Sequence, residues 1–135
     1  MATNQTFQRK EVYKDFDLNF TRNPLTNDIA VKKDANAISQ SLRNLVNTYF
    51  YERAFHPDIG CNVRNLLFQP ADAITIVDLR TAIEDTIRNF EPRVQIIQVL
   101  IEDNSERNHY HVRLLYSTRL LTQPTEFEFI LERLR

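Results

Sequence analysis

The stretch Asn89-Phe90-Glu91-Pro92-Arg93 decides how this chain is read, because a segment of helical periodicity stops there and a run of strand-forming residues begins. Proline has no amide hydrogen and disfavours helical geometry in the residue before it, so a helix ending near Phe90 must break at this point. Glu91 and Arg93 are thereby held on a stiff corner. A carboxylate and a guanidinium in such a place can contact a partner, or they can pair with one another and tie the corner down.

Upstream of the corner the chain reads as helical. Ile76, Leu79, Ile83, Ile87 and Phe90 form one apolar stripe behind a start signal at Asp72. A short helix over 62–68, with Leu66, Leu67 and Phe68 turned inward, precedes it and closes at Pro70. Before that, Glu52-Arg53-Ala54-Phe55-His56-Pro57-Asp58-Ile59-Gly60-Cys61 is punctuated by Pro57 and Gly60 and reads as a rigid connecting loop. A first main helix is expected over about 35–51, with Asp34 as N-cap and Ile38, Leu42, Leu45, Val46 and Tyr49 on its apolar face. Its other face carries Asn36, Ser39, Gln40, Asn44, Asn47 and Thr48, with Arg43 the only charge. Such a face is a solvated surface or a docking surface, since interface centres are depleted in charge.

Downstream of the corner the pattern is β. Val94 to Ile101 is apolar in both alternation sets, the mark of a central strand covered on both faces. Residues 103–108 form a polar turn. His109 to Ser117 alternates Tyr110, Val112, Leu114 and Tyr116 inward, and Thr125 to Arg133 alternates Phe127, Phe129 and Leu131 against Glu126, Glu128 and Glu132. Near the other end, Phe16, Leu18 and Phe20 alternate with Asp15, Asp17 and Asn19, and Ile29 and Val31 follow the turn at Asn23-Pro24-Leu25-Thr26-Asn27, which predicts a hairpin. The expected fold class is α+β: two main helices plus a short one packed on a mainly antiparallel sheet, with an N-terminal hairpin. Residues 1–11 read as a flexible tail and 12–135 as a single domain.

Composition narrows the function. The 135 residues suffice for a hydrophobic core without disulfides or metals, and a hydrophobic fraction of 42% with 26% charged residues is that of a soluble globular protein. No apolar run has membrane-spanning length, and the polar start Met1-Ala2-Thr3-Asn4-Gln5-Thr6 does not resemble a signal peptide, so folding inside the cell is expected. The single cysteine, Cys61, excludes an intrachain disulfide. A net charge of −1 gives no field to attract nucleic acid or anionic lipid. The single glycine, Gly60, excludes glycine-rich phosphate loops.

Catalytic constellations are weak. Glu84 and Asp85 are adjacent on a helix and point apart, while Glu52, Asp58 and Glu91 fall on loops with no pattern that makes them converge on a glycosidic bond. His109 and His111 share a strand face, but His56 and Cys61 supply no metal-site spacing to join them. Cys61 reads as a packed thiol. Arg113-Leu114-Leu115-Tyr116-Ser117-Thr118-Arg119 mixes basic and aromatic residues as nucleic-acid platforms do, yet Tyr116 belongs to the inward set and Arg113 to the outward one. No catalytic residue, cofactor or metal set is expected.

Several segments together resemble the baseplate wedge family of contractile phage tails, historically labelled lysozyme-like, whose relatives include a baseplate subunit of type VI secretion systems. They are Phe16-Asp17-Leu18-Asn19-Phe20 with Asn23-Pro24-Leu25-Thr26-Asn27-Asp28-Ile29, then Ala37-Ile38 with Ser41-Leu42-Arg43-Asn44-Leu45. The loop from Glu52 to Cys61, Leu66-Leu67-Phe68 and Asn89-Phe90-Glu91-Pro92-Arg93 complete the series. The resemblance implies a structural component of the inner baseplate ring, present in multiple copies in the virion tail and assembled in the host cytoplasm. It implies that Glu91, Pro92 and Arg93 contact other wedge subunits. It also implies that the sheet accepts strands from the tail sheath protein and so initiates sheath assembly; independently, an unpaired edge at the C-terminal strand, Phe127 to Leu131, would supply backbone groups to pair with such a strand. The family's older label implies the alternative of a peptidoglycan-degrading enzyme.

Overall fold

The structure is a computed structural model that describes residues 13–119 and 121–133; the expected tail over 1–11 lies outside the described residues. The chain falls into two units, Met1–Ile38 and Ser39–Arg135, each taken in turn.

In the first unit, strands β1 (Lys14–Phe16) and β2 (Val31–Lys33) pair antiparallel, with Asp15 opposite Lys32. The expected hairpin is present, but its strands are short and the apolar set does not turn inward. Asp17 is buried, whereas Phe16, Leu18 and Phe20 are 68%, 52% and 71% exposed. The cause is the chemistry around Asp17. Its carboxylate accepts the Asn19 amide at 3.2 Å and the Thr21 hydroxyl at 2.8 Å, and Lys32 lies 3.3 Å away. A side chain that organises its own turn competes with the ladder and ends the strand. These donors outweigh the desolvation that pushes the other way and hold the Asp17 carboxyl below its ordinary pKa.

Helix α1 (Asp34–Asn47) opens with Asp34 at φ 44°, its carboxylate accepting the Tyr13 amide at 3.1 Å. The helix stops short of the expected residue 51. The Tyr49 amide is taken by the Glu52 carboxylate at 2.8 Å, and the Thr48 carbonyl receives the Cys61 amide at 2.8 Å. In the second unit α1 buries Leu42, Leu45 and Val46. The following loop closes on itself through Tyr51 N–H to the Pro57 carbonyl at 3.0 Å.

Helix α2 (Val63–Leu66) is a single turn, shorter than the expected 62–68. The amides of Phe68 and Gln69 bond back to Asn65 and Leu66, which swings Phe68 outward; it is 61% exposed rather than inward. Helix α3 (Ala73–Phe90) starts where the Asp72 carboxylate accepts the Thr75 amide at 2.7 Å and buries Leu79, Ile83 and Ile87 in one stripe.

Strands β3 (Val94–Asn104), β4 (His109–Thr118) and β5 (Leu121–Glu132) form an antiparallel meander in that order. The central strand is therefore β4, and the reading of 94–101 as central is overturned. A register shift between Ile96 and Gln98 explains why both alternation sets of β3 are apolar. Val94 and Ile96 before the bulge, and Val99 and Ile101 after it, line up on one face of the sheet opposite Tyr116, Leu114 and Val112. The inserted Ile97 is 52% exposed and Leu100 is 38% exposed, so the second face is not covered there. Within β4 the alternation is unbroken: Tyr110, Val112, Leu114 and Tyr116 have no exposed surface and form the centre of the core with α3 packed along β3.

Candidate functional site

The corner after α3 is built by its own residues. Proline at 92 cannot extend the helix, and Glu91 leaves helical geometry at ψ 74° while its amide still closes the last turn on Ile87 at 2.9 Å. The Glu91 carbonyl then accepts the Val94 amide at 3.1 Å, which turns the chain into β3.

This bend brings two side chains of the same strand entry together. Arg93 donates Nε to Glu91 Oε1 at 2.5 Å and Nη2 to Oε2 at 2.6 Å, a side-on fork. The Ser41 hydroxyl of α1 donates to the same Oε2 at 2.5 Å. The Glu91 side chain is only 3% exposed, and Arg93 is 27% exposed. Burial pushes the Glu91 carboxyl up, but the Arg93 fork and the Ser41 hydroxyl outweigh it, so the group stays ionised below its usual range. Pro92 is exposed on the outside of the turn.

The structure thus brings Glu91 and Arg93 together as an internal pair. Ser41 escaped sequence reasoning. It lies fifty positions away among other small polar residues of α1, and its inward direction shows only in its place beside Leu42.

Other groups considered from sequence stay apart. Glu52 takes the Tyr49 amide and lies 3.8 Å from Arg64. His111 sits between Glu102 at 3.9 Å and Glu128 at 3.5 Å, and His109 Nδ1 lies 3.3 Å from the Arg107 carbonyl. Among the described residues no three His, Cys, Asp or Glu side chains stand close enough to hold a metal. Cys61 is buried with Sγ 3.5 Å from the Ala82 carbonyl, and burial pushes its thiol up, away from thiolate reactivity.

A second feature lies at the sheet edge. β5 pairs with β4 on one side, and on the other side no described strand pairs with it. Beside that edge an open cavity of about 460 Å³ is lined by Arg43 and Asn47 of α1 and by His111, Glu128, Phe129 and Ile130. The amide-rich face of α1 is partly used internally: Ser39 lies 3.4 Å from the Tyr116 hydroxyl, and the Arg43 guanidinium stands 5.7 Å from the centre of the Phe127 ring.

Solved structures with this arrangement include a Geobacter sulfurreducens chain assigned as a tail lysozyme, with a TM-score of 0.68 at 18% identity over 73% of this chain and 89% of that one. A chain of the anti-feeding prophage baseplate matches with a TM-score of 0.62 at 18% identity, covering 91% of this chain and 87% of that one. A chain of the postcontracted pyocin R2 baseplate matches at 0.55 and 17% identity, covering 75% and 97%. The fold is therefore of a class found in the baseplates of contractile particles.

Residues 32–124 match the model of the family described as baseplate wedge protein gp25, and the chain belongs to that family. It is also 29% identical over 72 residues to the baseplate wedge protein gp25 of Enterobacteria phage T4, 53% of this chain and 54% of that protein, so the match spans about half the length of that relative. The Glu91-Pro92-Arg93 corner lies inside the family match, whereas residues 125–132 of β5 lie beyond it.

Proposed function

We propose that this chain is a structural wedge subunit in the baseplate of a contractile tail or related injection machine, present in several copies in a ring. Its place is the tail of the particle, after assembly in the host cytoplasm. The Glu91-Pro92-Arg93 corner contacts other wedge subunits, and the open edge of β5 takes a strand from the tail sheath protein and so starts sheath assembly. Family membership and the baseplate origin of similar folds support the first statement. The geometry of the corner supports the second.

The observation that carries this reading is the triple-donor lock on Glu91. It fixes the position of the Arg93 guanidinium while leaving part of that side chain and the adjacent Pro92 at the surface. Preorganisation of this kind lowers the ordering cost of an arginine contact, and arginine is enriched among interface anchors. The same lock argues against a lysozyme. A glycosidase acid must carry a proton near neutral pH, and Glu91 is held ionised instead.

The test is assembly of contractile particles with Arg93→Lys and Arg93→Ala, each variant also checked for cooperative unfolding as a purified chain. Lysine keeps a cation on Glu91 but cannot make the fork. Folded variants that fail to yield sheathed particles are expected; normal particles from both would end the role of the corner. Soluble fragments released from peptidoglycan by the purified chain, and lost in Glu91→Gln, would favour the enzyme.

A further inference from the structure

The outer face of the sheet in the second unit, the side opposite the buried set, changes charge from strand to strand. On β3 stands Glu102. On β4, His111 pairs across from Glu102 in the register, and the neighbouring Arg113 is hydrogen-bonded to that same Glu102. On β5 the outward residues are Glu126, Glu128, Ile130 and Glu132, and Glu128 lies opposite Arg113 and 3.5 Å from His111. Arg113 of β4 is thus bonded to Glu102 of β3 on one side and faces Glu128 of β5 on the other.

On β4 the Arg113 guanidinium is already bonded to Glu102, and the His111 ring lies 3.9 Å from Glu102 and 3.5 Å from Glu128. Among the described residues neither Glu126 nor Glu132 has an ion pair, and both are exposed. On the opposite face of the same strand Phe127 and Leu131 are buried and Phe129 is half-buried, with the Arg43 guanidinium standing over Phe127. The two faces of this edge therefore ask for different side chains: a cation is favoured beside Glu126, Glu128 and Glu132, and disfavoured near Arg43.

Resting on the reading of β5 as a strand acceptor, we propose that the segment it receives is an extended chain alternating basic and apolar residues. Its Lys or Arg side chains fall on the outward face beside Glu126, Glu128 and Glu132, and its apolar side chains fall inward beside Phe127, Phe129 and Leu131. Pro124, which has no amide hydrogen, limits the acceptor to about residues 125–132. The cavity lined by Arg43, Asn47, Phe129 and Ile130 gives the incoming backbone room beside the edge. The acidic row also acts against the wrong guest. A second copy of β5 would set glutamates against glutamates, so self-pairing at this edge is disfavoured while a basic strand is admitted.

The probes are three synthetic octapeptides: alternating Lys-Val, alternating Glu-Val, and a shuffled peptide with four Lys followed by four Val. Each is added to the full chain at low salt, with affinity measured by calorimetry and amide hydrogen exchange followed at residues 125–132. The alternating Lys peptide is expected to bind about ten-fold or more tightly than the other two, and to slow exchange along β5. The preference should shrink as salt rises. Glu126→Lys, at an exposed position outside any described ion pair, should reduce it, and Glu126→Lys/Glu128→Lys/Glu132→Lys should invert it in a chain that still unfolds cooperatively.

Equal β5 protection by the Lys and Glu peptides would overturn the charge rule and leave strand acceptance standing. Binding of both Lys peptides without β5 protection, or no protection by any peptide, would overturn strand acceptance and the charge rule together.

Discussion

Ser41 of α1 and Glu91 at the end of α3 are joined by a 2.5 Å hydrogen bond across fifty residues of sequence. That bond connects the two long helices at the point where the chain turns into the sheet. Without it the corner would be a local affair of residues 91–93. With it, the orientation of Arg93 depends on the seating of α1, and any partner that reads the corner also reads the packing of the helices.

Replacing Ser41 by alanine removes one donor to a buried carboxylate and leaves the Arg93 fork in place. Hydrogen bonds to charged groups contribute more than neutral ones, and the helix gains slightly from alanine, so a loss of about 1–2 kcal/mol is expected in urea unfolding. Ser41→Thr, which keeps the hydroxyl, should recover part of it.

Acid should unfold the chain partly through Glu91. Its folded pKa is depressed, so its contribution is fully present above the unfolded value near 4.5 and is lost as pH falls through the lower folded value. Asp17 and Asp72 are depressed as well, the first chiefly by Thr21 and the second chiefly by the Thr75 amide, and they act in the same direction. Stability measured in urea should therefore be flat from pH 7 to about 5 and decline below that. In Glu91→Gln the decline should be shallower, with a lower plateau; an unchanged slope would mean that Glu91 is not ionised by its neighbours.

Much of this fold was legible from periodicity because periodicity reports which side of an element is covered. The stripe of α3 and the alternation of β4 both read directly. β3 misled for a physical reason: the bulge at Ile97 inserts one residue, so a strand with one covered face looks apolar in both sets. The N-terminal hairpin misled because hydrogen bonds of Asp17 outweigh the inward tendency of Phe16 and Phe20. At the candidate site the pair Glu91 and Arg93 was visible, being two residues apart around a proline. Ser41 was not, since a contact across fifty positions leaves no local pattern.

Tyr110 has no exposed surface, and among the described residues its hydroxyl has no hydrogen-bond partner. The ring itself is well used, with the Arg133 guanidinium 5.8 Å from its centre, a contact that phenylalanine preserves. Removing a buried hydroxyl that makes no bond relieves its desolvation cost. Tyr110→Phe should thus be neutral or stabilising by up to about 1 kcal/mol in thermal unfolding. Leu114→Ala in the same strand should cost roughly 2–5 kcal/mol through the cavity it leaves.

Gly60 is the one glycine of the chain, and its role is space rather than conformational freedom, since its φ is not in the left-handed region. A Cβ added there would lie 2.6 Å from the Phe50 amide nitrogen, 2.7 Å from the Tyr49 carbonyl carbon and 2.9 Å from the Phe50 Cα. All three are backbone atoms, so no side chain can swing away to make room. Gly60→Ala must move the loop that joins α1 to α2, and with it the Gly60 carbonyl that accepts from the buried Thr86 hydroxyl of α3 at 3.3 Å. The expected destabilisation is at or above the upper end of the roughly 1–3 kcal/mol typical of overpacking. Hydrogen exchange should speed up first at Thr48 to Cys61, because the strain enters there; if exchange rose instead uniformly across the sheet, the loop would not be the element that Gly60 protects.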